Sequence, residues 1–553
     1  MKRLIPVFIV AFSFVPALAQ LTPDQRALDF QTIVGYYARN YAPAPWKAQS
    51  LGFNLFNTAP WLTRVRAAKD DLEYLGIVLE FAGSFRDTHT SLTVPSTLYV
   101  RLGFTTDLYD EKVVVDSISR ASLPEAAYPF GVGDEIVSVD GKSAAELLIE
   151  FSKYLQMGNE RATKRFAAAT IARRYQEYSP RIVELGDRAK VEVRRAGQTA
   201  TETFDIPWIK TGVGVRGFGP LPGFETSSTA EPESPRAHAP LDRIRQRVLP
   251  GHRRYGDEFL ASIGAVRPGF DLPETATVRL NTPVYSALYE VDGFKIGFLR
   301  VQNFSFGSST MRSIRSEIAF FQENADGLVL DITRNPGGSC QFEELAKSVI
   351  PGKWQSTGDR FRPTLELIGY WRSELSYAGV LGYTADQVAA LQGQLTMLEE
   401  TYGKGELLAP AFPACEYAFE KESPETAFSK PAILLIDELS ISAADFFAVT
   451  FKDNKRGLLV GKRSNGAGGA VFGDRAISFM TELQSSNTIS LGTRPGTTDR
   501  YFENIGVEPD IELELMTLDN LNTKGKSYVD GFTKVIVDEI KKAKEAMPAP
   551  SSN

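Results

Sequence analysis

The chain has 553 residues, of which 43% are hydrophobic and 23% are charged. That composition is typical of globular proteins and the length suggests about three domains, which excludes a wholly disordered, collagenous or multi-span membrane protein. The net charge of −7 argues against nucleic acid as the main partner, and the two cysteines exclude a disulfide-rich scaffold and a four-thiolate zinc site.

The N-terminus has the pattern of a secretory signal peptide. A basic start is followed by an apolar run at 4–18 and by the small residues of Ala17-Leu18-Ala19. A retained membrane anchor is the alternative, but the run is short for a span and two prolines interrupt it. We therefore expect a signal peptide at 1–19 and an exported, periplasmic or secreted chain without stable membrane insertion. In an oxidising compartment Cys340 and Cys415 form one disulfide, or they stay two buried thiols.

Two domains are predicted before the middle of the chain. Residues 20–94 form a helical domain, because apolar residues recur near helical spacing until the pattern breaks at Asp87-Thr88-His89-Thr90. Residues 95–210 form a β-rich module, with a strand at Val113-Val114-Val115 and a tight turn at Asp140-Gly141. A charged helical stretch at about 150–175 interrupts this module.

A linker and a tail flank the largest block. Residues 211–284 form a linker or loop region, whose stretch 226–240 is rich in Pro, Ser and Glu, and the tail 546–553 is predicted to be disordered. His238 and His252 lie in the linker, where a histidine is more often exposed than catalytic. Of the three histidines in the chain, only His89 lies outside this linker, as a candidate general base or, as is more common for a lone histidine, a structural or exposed residue.

Residues 285–535 are predicted to form an α/β core. Short apolar runs typical of buried strands alternate there with amphipathic stretches, which indicates a layer of strands covered by helices. The predicted strands are Phe294–Val301, Leu328–Ile332, Ala432–Ile436 and Leu458–Val460, and the helices are Met311–Gln322, Glu343–Val349 and Ala443–Lys452. Residues 355–425 are predicted to be a largely helical insertion.

Serines stand at a strand-to-helix junction of this core. Ser440 and Ser442 follow the strand Ala432–Ile436 and precede a helix. A serine hydroxyl there can project from the carboxyl end of the sheet, where N–H groups of the helix start stabilise an oxyanion. The alternative is that one of them only caps the helix.

Two other segments carry candidate residues. The strand ending at Asp331-Ile332 runs into Asn335-Pro336-Gly337-Gly338, whose glycines let a backbone N–H approach a ligand closely, as an oxyanion hole requires. An ordinary turn is the alternative. Glu503 precedes a turn and could orient a histidine, or it could be a surface residue.

Together these segments resemble the C-terminal processing, or tail-specific, serine protease family. The resemblance implies a crotonase-like α/β protease core with an N-terminal helical domain and an inserted PDZ-like domain. By this resemblance, Arg101-Leu102-Gly103-Phe104 stands where a PDZ domain has its carboxylate-binding loop. This implies that Leu102, Gly103 and Phe104 bind a peptide.

One position departs from the family. Many members use a Ser-Lys dyad, and their lysine falls here at Ala467, which cannot accept a proton. A second branch, which resembles the tricorn core and the chlamydial secreted protease, uses Ser, His and Glu. The resemblance to that branch assigns Ser442 as nucleophile, His89 as base and Glu503 as the acid that orients it. Lys462 is a possible replacement base, although its position does not match the motif.

The implied activity is that of an exported serine endopeptidase acting on peptides or unfolded proteins, without metal or cofactor. Backbone N–H groups of Gly338 and Ala443 would form the oxyanion hole. The PDZ-like module would capture substrate tails or regulate the enzyme. The alternative is a catalytically inactive binding protein on the same fold, for which Ala467 would suit a degenerate site. The sequence does not decide whether the chain forms a homo-oligomer.

Overall fold

A computed structural model of the chain describes residues 20–218, 263–415, 418–478 and 480–546. The predicted signal peptide, most of the predicted linker with His238 and His252, and the tail beyond residue 546 lie outside the described residues.

The N-terminal region is helical, as the periodicity predicts. Its helices are α1 (Pro23–Asn40), α2 (Ala44–Leu51), α3 (Ala59–Ala67) and α4 (Asp71–Gly83), followed by the short strand β1 (Ser91–Thr93). The aromatic side chains of Phe30, Tyr37, Phe81 and Phe85 pack together in its core. Strand β1 pairs with a strand of the α/β core, so this region is joined to the core by backbone hydrogen bonds.

The β-rich module follows. Its elements are β2 (Tyr99–Arg101), β3 (Phe104–Tyr109), β4 (Lys112–Ile118), β5 (Glu135–Val139), β6 (Lys142–Ser143), α5 (Ala144–Ser152), α6 (Glu160–Ala172), β7 (Arg173–Tyr175), a 3-10 helix (Pro180–Glu184), β8 (Arg188–Arg194), β9 (Thr201–Pro207) and β10 (Ile209–Thr211). The main sheet has the order β3-β4-β5-β8-β9, which makes β3 an edge strand. Helix α6 is the charged insertion expected at about 150–175.

The α/β core contains the remaining elements. They are β11 (Thr277–Leu280), β12 (Tyr285–Val291), β13 (Phe294–Arg300), α7 (Ser308–Asn324), β14 (Gly327–Asp331), α8 (Gln341–Val349), β15 (Lys353–Gln355), β16 (Gly358–Phe361), α9 (Leu365–Ser376), α10 (Ala385–Gly403), β17 (Phe412–Pro413), β18 (Glu420–Glu422), β19 (Ala432–Ile436), α11 (Ala443–Asp453), β20 (Leu458–Gly461), β21 (Val471–Ala476), β22 (Gln484–Thr488), β23 (Ser490–Thr493), β24 (Ile511–Glu512), α12 (Leu518–Asn522) and α13 (Lys526–Glu545).

The central sheet of the core has the order β11-β12-β13-β14-β19-β20-β24. Strands β13, β14, β19, β20 and β24 are parallel, so β14 and β19 end side by side at one edge of the sheet. All residues of β14 and β19 are buried, because helices α7, α8 and α11 cover one face and α13 covers the other. Ligand sites lie at such carboxyl edges, because the loops that follow neighbouring strands meet there.

The predicted insertion is only partly helical. Helices α9 and α10 pack on each other, but short strands flank them, and β16 pairs with both β17 and β23. Cys340, before α8, is joined by a disulfide to Cys415 after β17, so of the two alternatives left open by the sequence the structure has the bonded one.

Candidate active site

Ser442 lies in the turn between β19 and α11. Its backbone has φ 59° and ψ −119°, a conformation that residues other than glycine rarely adopt. Strain of this kind persists where the surroundings enforce it and is concentrated at functional sites. The Ser442 N–H donates to Asp445 Oδ2 at 3.0 Å, which fixes the residue against the first turn of α11.

Ser440 has a different environment. Its Oγ donates to the Ile332 carbonyl at 2.8 Å and accepts from the Asp437 N–H at 3.1 Å, and the residue has no exposed surface. These bonds tie the turn after β19 to the end of β14. The hydroxyl is therefore used in holding the two turns together.

The glycine turn after β14 lies against Ser442. A methyl group on Gly337 would come within 2.6 Å of Ser442 Cβ and 3.0 Å of the Ala443 nitrogen, so only glycine fits. Its N–H donates to Asn335 Oδ1 at 2.8 Å. Among the residues that the structure describes, the N–H groups of Gly338 and Ala443 have no hydrogen-bond acceptor. Unpaired donors beside a serine are what stabilisation of an oxyanion requires.

Residues 464–468, the bridging loop, hold this turn from the other side. Asp445 accepts from the N–H groups of Gly466 and Ala467 at 2.8 and 3.0 Å, and from Ser464 Oγ at 2.5 Å. Burial raises the pKa of Asp445 to about 6, and these hydrogen bonds act against that rise. Asp445 therefore positions Ser442 and the bridging loop together.

His89 is buried and reaches the same loop through its neighbour. Thr88 Oγ1 donates to Asn465 Oδ1 at 2.5 Å, and Asn465 donates from its N–H to the Ser440 carbonyl at 3.1 Å. The His89 N–H donates to Asp87 Oδ1 at 2.9 Å, and its carbonyl accepts from Ser486 Oγ at 2.7 Å. The backbone of His89 is thus fixed on both sides.

Glu503 is fully buried beside the bridging loop. Its Oε2 accepts from the Gly468 N–H at 2.9 Å, and its Oε1 lies 2.8 Å from Lys47 Nζ. Burial raises the pKa of Glu503 to about 8, Asp87 acts in the same direction, and Lys47 opposes both. The neighbouring acids Asp499 and Glu508 are exposed, unlike Glu503.

Lys47 is a residue that the sequence interpretation missed. It has no exposed surface, its Nζ lies 3.4 Å from Asp87 Oδ2, and it donates to the carbonyls of Phe85 and Arg86 at 3.1 and 3.2 Å. The lysine therefore joins the segment that carries His89 to Glu503. Burial acts to raise the pKa of Asp87, but Lys47 and His89 leave it below its ordinary value. No periodicity or motif marks Lys47 in the sequence.

The geometry supports neither a Ser-Lys dyad at the position of Ala467 nor Lys462 as the catalytic base. Ala467 lies in an apolar cluster with Leu439, Ile441, Met157 and Phe166, so the position of the dyad lysine is closed by hydrophobic side chains. Lys462 pairs with two acids of the β24 segment, Glu512 at 3.3 Å and Glu514 at 3.7 Å.

The predicted peptide-binding loop of the β-rich module is occupied by the chain itself. The Leu102 N–H donates to the Ala172 carbonyl at the end of α6 at 3.0 Å, and Thr106 Oγ1 on β3 donates to the Ala168 carbonyl at 2.7 Å. Leu102 and Phe104 are buried, and a side chain on Gly103 would press on Ser122 and Leu123. Helix α6 therefore lies where a peptide would add to the edge strand.

The same helix contacts the segment of the nucleophile. Arg165 is fully buried, binds both carboxylate oxygens of Asp107 at 3.0 and 2.7 Å, and donates to Glu438 at 3.0 Å. Arg161 donates to Glu438 at 3.0 Å as well. Burial acts to raise the pKa of Glu438, but the two arginines hold it below its ordinary value. Helix α6 thus links β3 of the module to the turn before Ser442.

In the described ranges, no group of three or more His, Cys, Asp or Glu side chains could hold a metal ion. None of the helices described is both long and apolar enough to cross a membrane.

Comparison with known proteins gives matches over most of the chain. Residues 295–513 match the sequence model of peptidase family S41, and residues 98–211 match that of the PDZ domain. A protein of Chlamydia trachomatis serovar D is 27% identical over 565 residues, which covers 90% of each chain. A carboxyl-terminal-processing protease of Picosynechococcus is 26% identical over 236 residues, or 42% of each chain.

A solved structure shares the fold. The structure of mature CPAF complexed with lactacystin matches with a TM-score of 0.74 and 23% identity, and the match covers 94% of this chain and 99% of that one. These findings confirm the predicted α/β protease core with a PDZ domain and an N-terminal helical region.

Proposed function

Because this chain is a serine-type peptidase with a family S41 domain and a PDZ domain, we propose that it is an exported endopeptidase with Ser442, His89 and Glu503 as its catalytic residues. Its substrates are peptides or unfolded proteins. The observation that carries the proposal is the strained backbone of Ser442 beside the unpaired N–H groups of Gly338 and Ala443.

The proposed reaction proceeds through an acyl-enzyme. Ser442 Oγ attacks the peptide carbonyl while His89 takes its proton, and the carbonyl oxygen becomes an anion held by the N–H groups of Gly338 and Ala443. His89 then returns the proton to the leaving amine, and water hydrolyses the acyl-enzyme by the reverse sequence. Ionised Glu503 stabilises the positively charged imidazole of His89 during both steps.

The PDZ-like domain has a regulatory role in this proposal. Its edge strand is covered by α6, and the same helix binds Glu438 through Arg161 and Arg165. A change in the docking of α6 would therefore alter the turn that carries Ser442. Export is supported by the N-terminal sequence pattern, and the proposed domain limits are 20–94, 95–210 and 285–535.

Labelling with a fluorophosphonate probe tests the catalytic assignment, because such probes react with an activated serine. The mature chain, Ser442→Ala, His89→Ala and Ser440→Ala are compared for labelling and for cleavage of an unfolded protein. We expect labelling and cleavage in the unaltered chain and in folded Ser440→Ala, and neither in the other two variants.

Three results would contradict the proposal. An unaltered chain that neither reacts nor cleaves would favour the inactive binding protein. Labelling that persists in Ser442→Ala would assign the nucleophile to another serine. Full activity of His89→Ala would contradict the Ser-His-Glu triad and favour Lys462 as the base.

A further inference from the structure

A cavity of about 570 Å³ lies between α4 of the helical region and the α5 and 3-10 helices of the PDZ-like domain. Its volume is within the range of small-ligand sites, about 300–1,000 Å³. Leu72, Ile77, Tyr154 and Ile182 give it apolar walls. It is separate from the loop at 102–104 and from the proposed catalytic residues, none of which lines it.

Arg174 on β7 supplies an unpaired positive charge to this cavity. Its side chain is more than nine-tenths buried, yet none of its N–H groups donates to a residue that the structure describes, and Nε is fully enclosed. Burial lowers the pKa of Arg174 to about 10. A buried cation without a partner costs free energy unless a ligand supplies the missing charge.

The other cations that line the cavity are already paired. Arg64 binds Glu80, Lys142 binds Glu150, and Arg181 binds Asp70 and Glu184. Of the described cations in the lining, Arg174 alone therefore lacks a carboxylate. Asp140 and Glu150 favour the charge of Arg174, but neither forms an ion pair with it.

Neighbouring groups define the shape of the missing ligand. The guanidinium carbon of Arg174 lies 5.2 Å from the centre of the Phe151 ring and 4.9 Å from that of Trp208, which fixes the guanidinium plane. Ser179 Oγ, also in the cavity wall, is a second buried donor without a partner. A planar fork of donors with a nearby hydroxyl matches a carboxylate, and the apolar walls match a hydrophobic side chain.

We infer that this cavity binds the C-terminal carboxylate of a peptide whose last residue is apolar, through Arg174 and Ser179. The inference rests on the proposed function only in taking the ligand to be a peptide. Strand β7 follows α6 without a gap, so the site lies at the end of the helix that holds Glu438.

The test measures peptide binding by calorimetry to the full chain carrying Ser442→Ala, so that hydrolysis does not interfere. The probes are an N-acetylated tripeptide ending in leucine, as the free acid and as the amide. We expect the acid to bind at least ten-fold more tightly than the amide. In this background Arg174→Gln should abolish that preference, and Arg173→Gln, the matched control on a half-buried neighbour, should retain it.

Two further variants guard against a folding defect in Arg174→Gln. Arg174→Lys keeps the charge but loses the planar fork, and Ser179→Ala removes only the hydroxyl, so each should weaken the acid several-fold. Equal binding of acid and amide, unchanged affinity in these two variants, or a preference that survives Arg174→Gln would overturn the inference. Displacement of the acid by inorganic phosphate at equal concentration would overturn the assignment to a carboxylate. Because no step depends on catalysis, loss of the proposed protease function would leave these results intact.

Discussion

The turn at Ser442 and the edge of the PDZ-like domain are both places where a peptide could be held by backbone N–H groups. At the turn, the flanking polar groups are satisfied within the protein, and the N–H groups of Gly338 and Ala443 have no described acceptor. At the edge, the Leu102 N–H is bonded to α6. The first site is therefore organised for a ligand, whereas the second is closed by the chain itself.

The comparison shows that a domain can keep its fold while its usual binding site is closed. The PDZ-like domain keeps its sheet and its glycine loop, but an inserted helix covers the groove. Buried donors without a partner lie at Arg174 and Ser179, on another surface, and also at Arg101 and Trp208.

The largest expected effect is that of Gly337→Ala, which breaks the organised site. A methyl group there meets Ser442 Cβ at 2.6 Å, and Gly337 has φ 96°, which alanine adopts only with strain. We expect kcat/KM for peptide cleavage to fall at least 1,000-fold, or about 4 kcal/mol of transition-state stabilisation. Gly369→Ala, where a methyl group meets nothing within 4 Å, is the control. A variant within ten-fold of the unaltered chain would contradict this geometry.

Lys47→Met tests whether the buried ion pairs of Lys47 with Asp87 and Glu503 contribute to catalysis at the site of Ser442. Removing one partner of a buried pair costs about 3–5 kcal/mol, so the free energy of unfolding should fall by that amount. Since Lys47 opposes the raised pKa of Glu503, about 8, its loss raises that pKa further. If Glu503 must be ionised, the acidic limb of kcat/KM against pH moves to higher pH.

The control for this substitution is Lys69→Met, which removes an exposed lysine. Melting temperatures and pH profiles of both variants separate a loss of stability from a shift in ionisation. A folded Lys47→Met variant with an unchanged pH profile would show that the lysine is structural only.

Asp359→Asn tests how the core depends on pH, because Asp359 is buried and only the hydrogen bond from Ser490 opposes the effect of burial on its pKa. Burial raises the pKa of Asp359 to about 7 against the hydrogen bond from Ser490. The stability that its protonated form contributes is present below its ordinary pKa and is lost as pH rises through 7. Because Asp445 and Glu503 have raised pKa values in both chains, the expected difference is relative: between pH 5 and pH 8 the unaltered chain should lose about 2–3 kcal/mol more than the variant.

Melting temperatures at the two pH values measure this effect. Asp386→Asn, an exposed acid, should behave like the unaltered chain. An equal loss in Asp359→Asn and in the unaltered chain would assign the pH dependence to other groups.

Thr106→Val has the smallest expected effect and probes the closed groove. It removes the hydrogen bond from Thr106 to the Ala168 carbonyl while nearly keeping the side-chain volume. We expect about 1 kcal/mol of local destabilisation and about five-fold faster hydrogen exchange at the Leu102 amide. Thr203→Val, at an exposed position of β9, is the control. Unchanged exchange would mean that α6 does not hold the groove closed through this contact.

Much of the fold could be predicted from local pattern. The apolar runs of β13, β14, β19 and β20 and the stretches of α7, α8 and α11 stand within three residues of their predicted limits. The predicted helical insertion at 355–425 was less accurate, because β16 and β17 are short strands that depend on pairing with distant residues. The disulfide between Cys340 and Cys415 likewise depends on two segments meeting.

The sequence by itself determined the strand–turn–helix units of the core, because burial periodicity and turn glycines are local properties. The proposed roles of Ser442, His89 and Glu503 came from the resemblance to a known family. Only the tertiary structure decided that Lys47 meets Glu503, that α6 fills the groove of the PDZ-like domain and that Arg174 remains unpaired. Each of these depends on charges or donors brought together from distant parts of the chain. The energy of such contacts depends on how deeply the groups are buried and on the distance between them. The local sequence pattern encodes neither quantity.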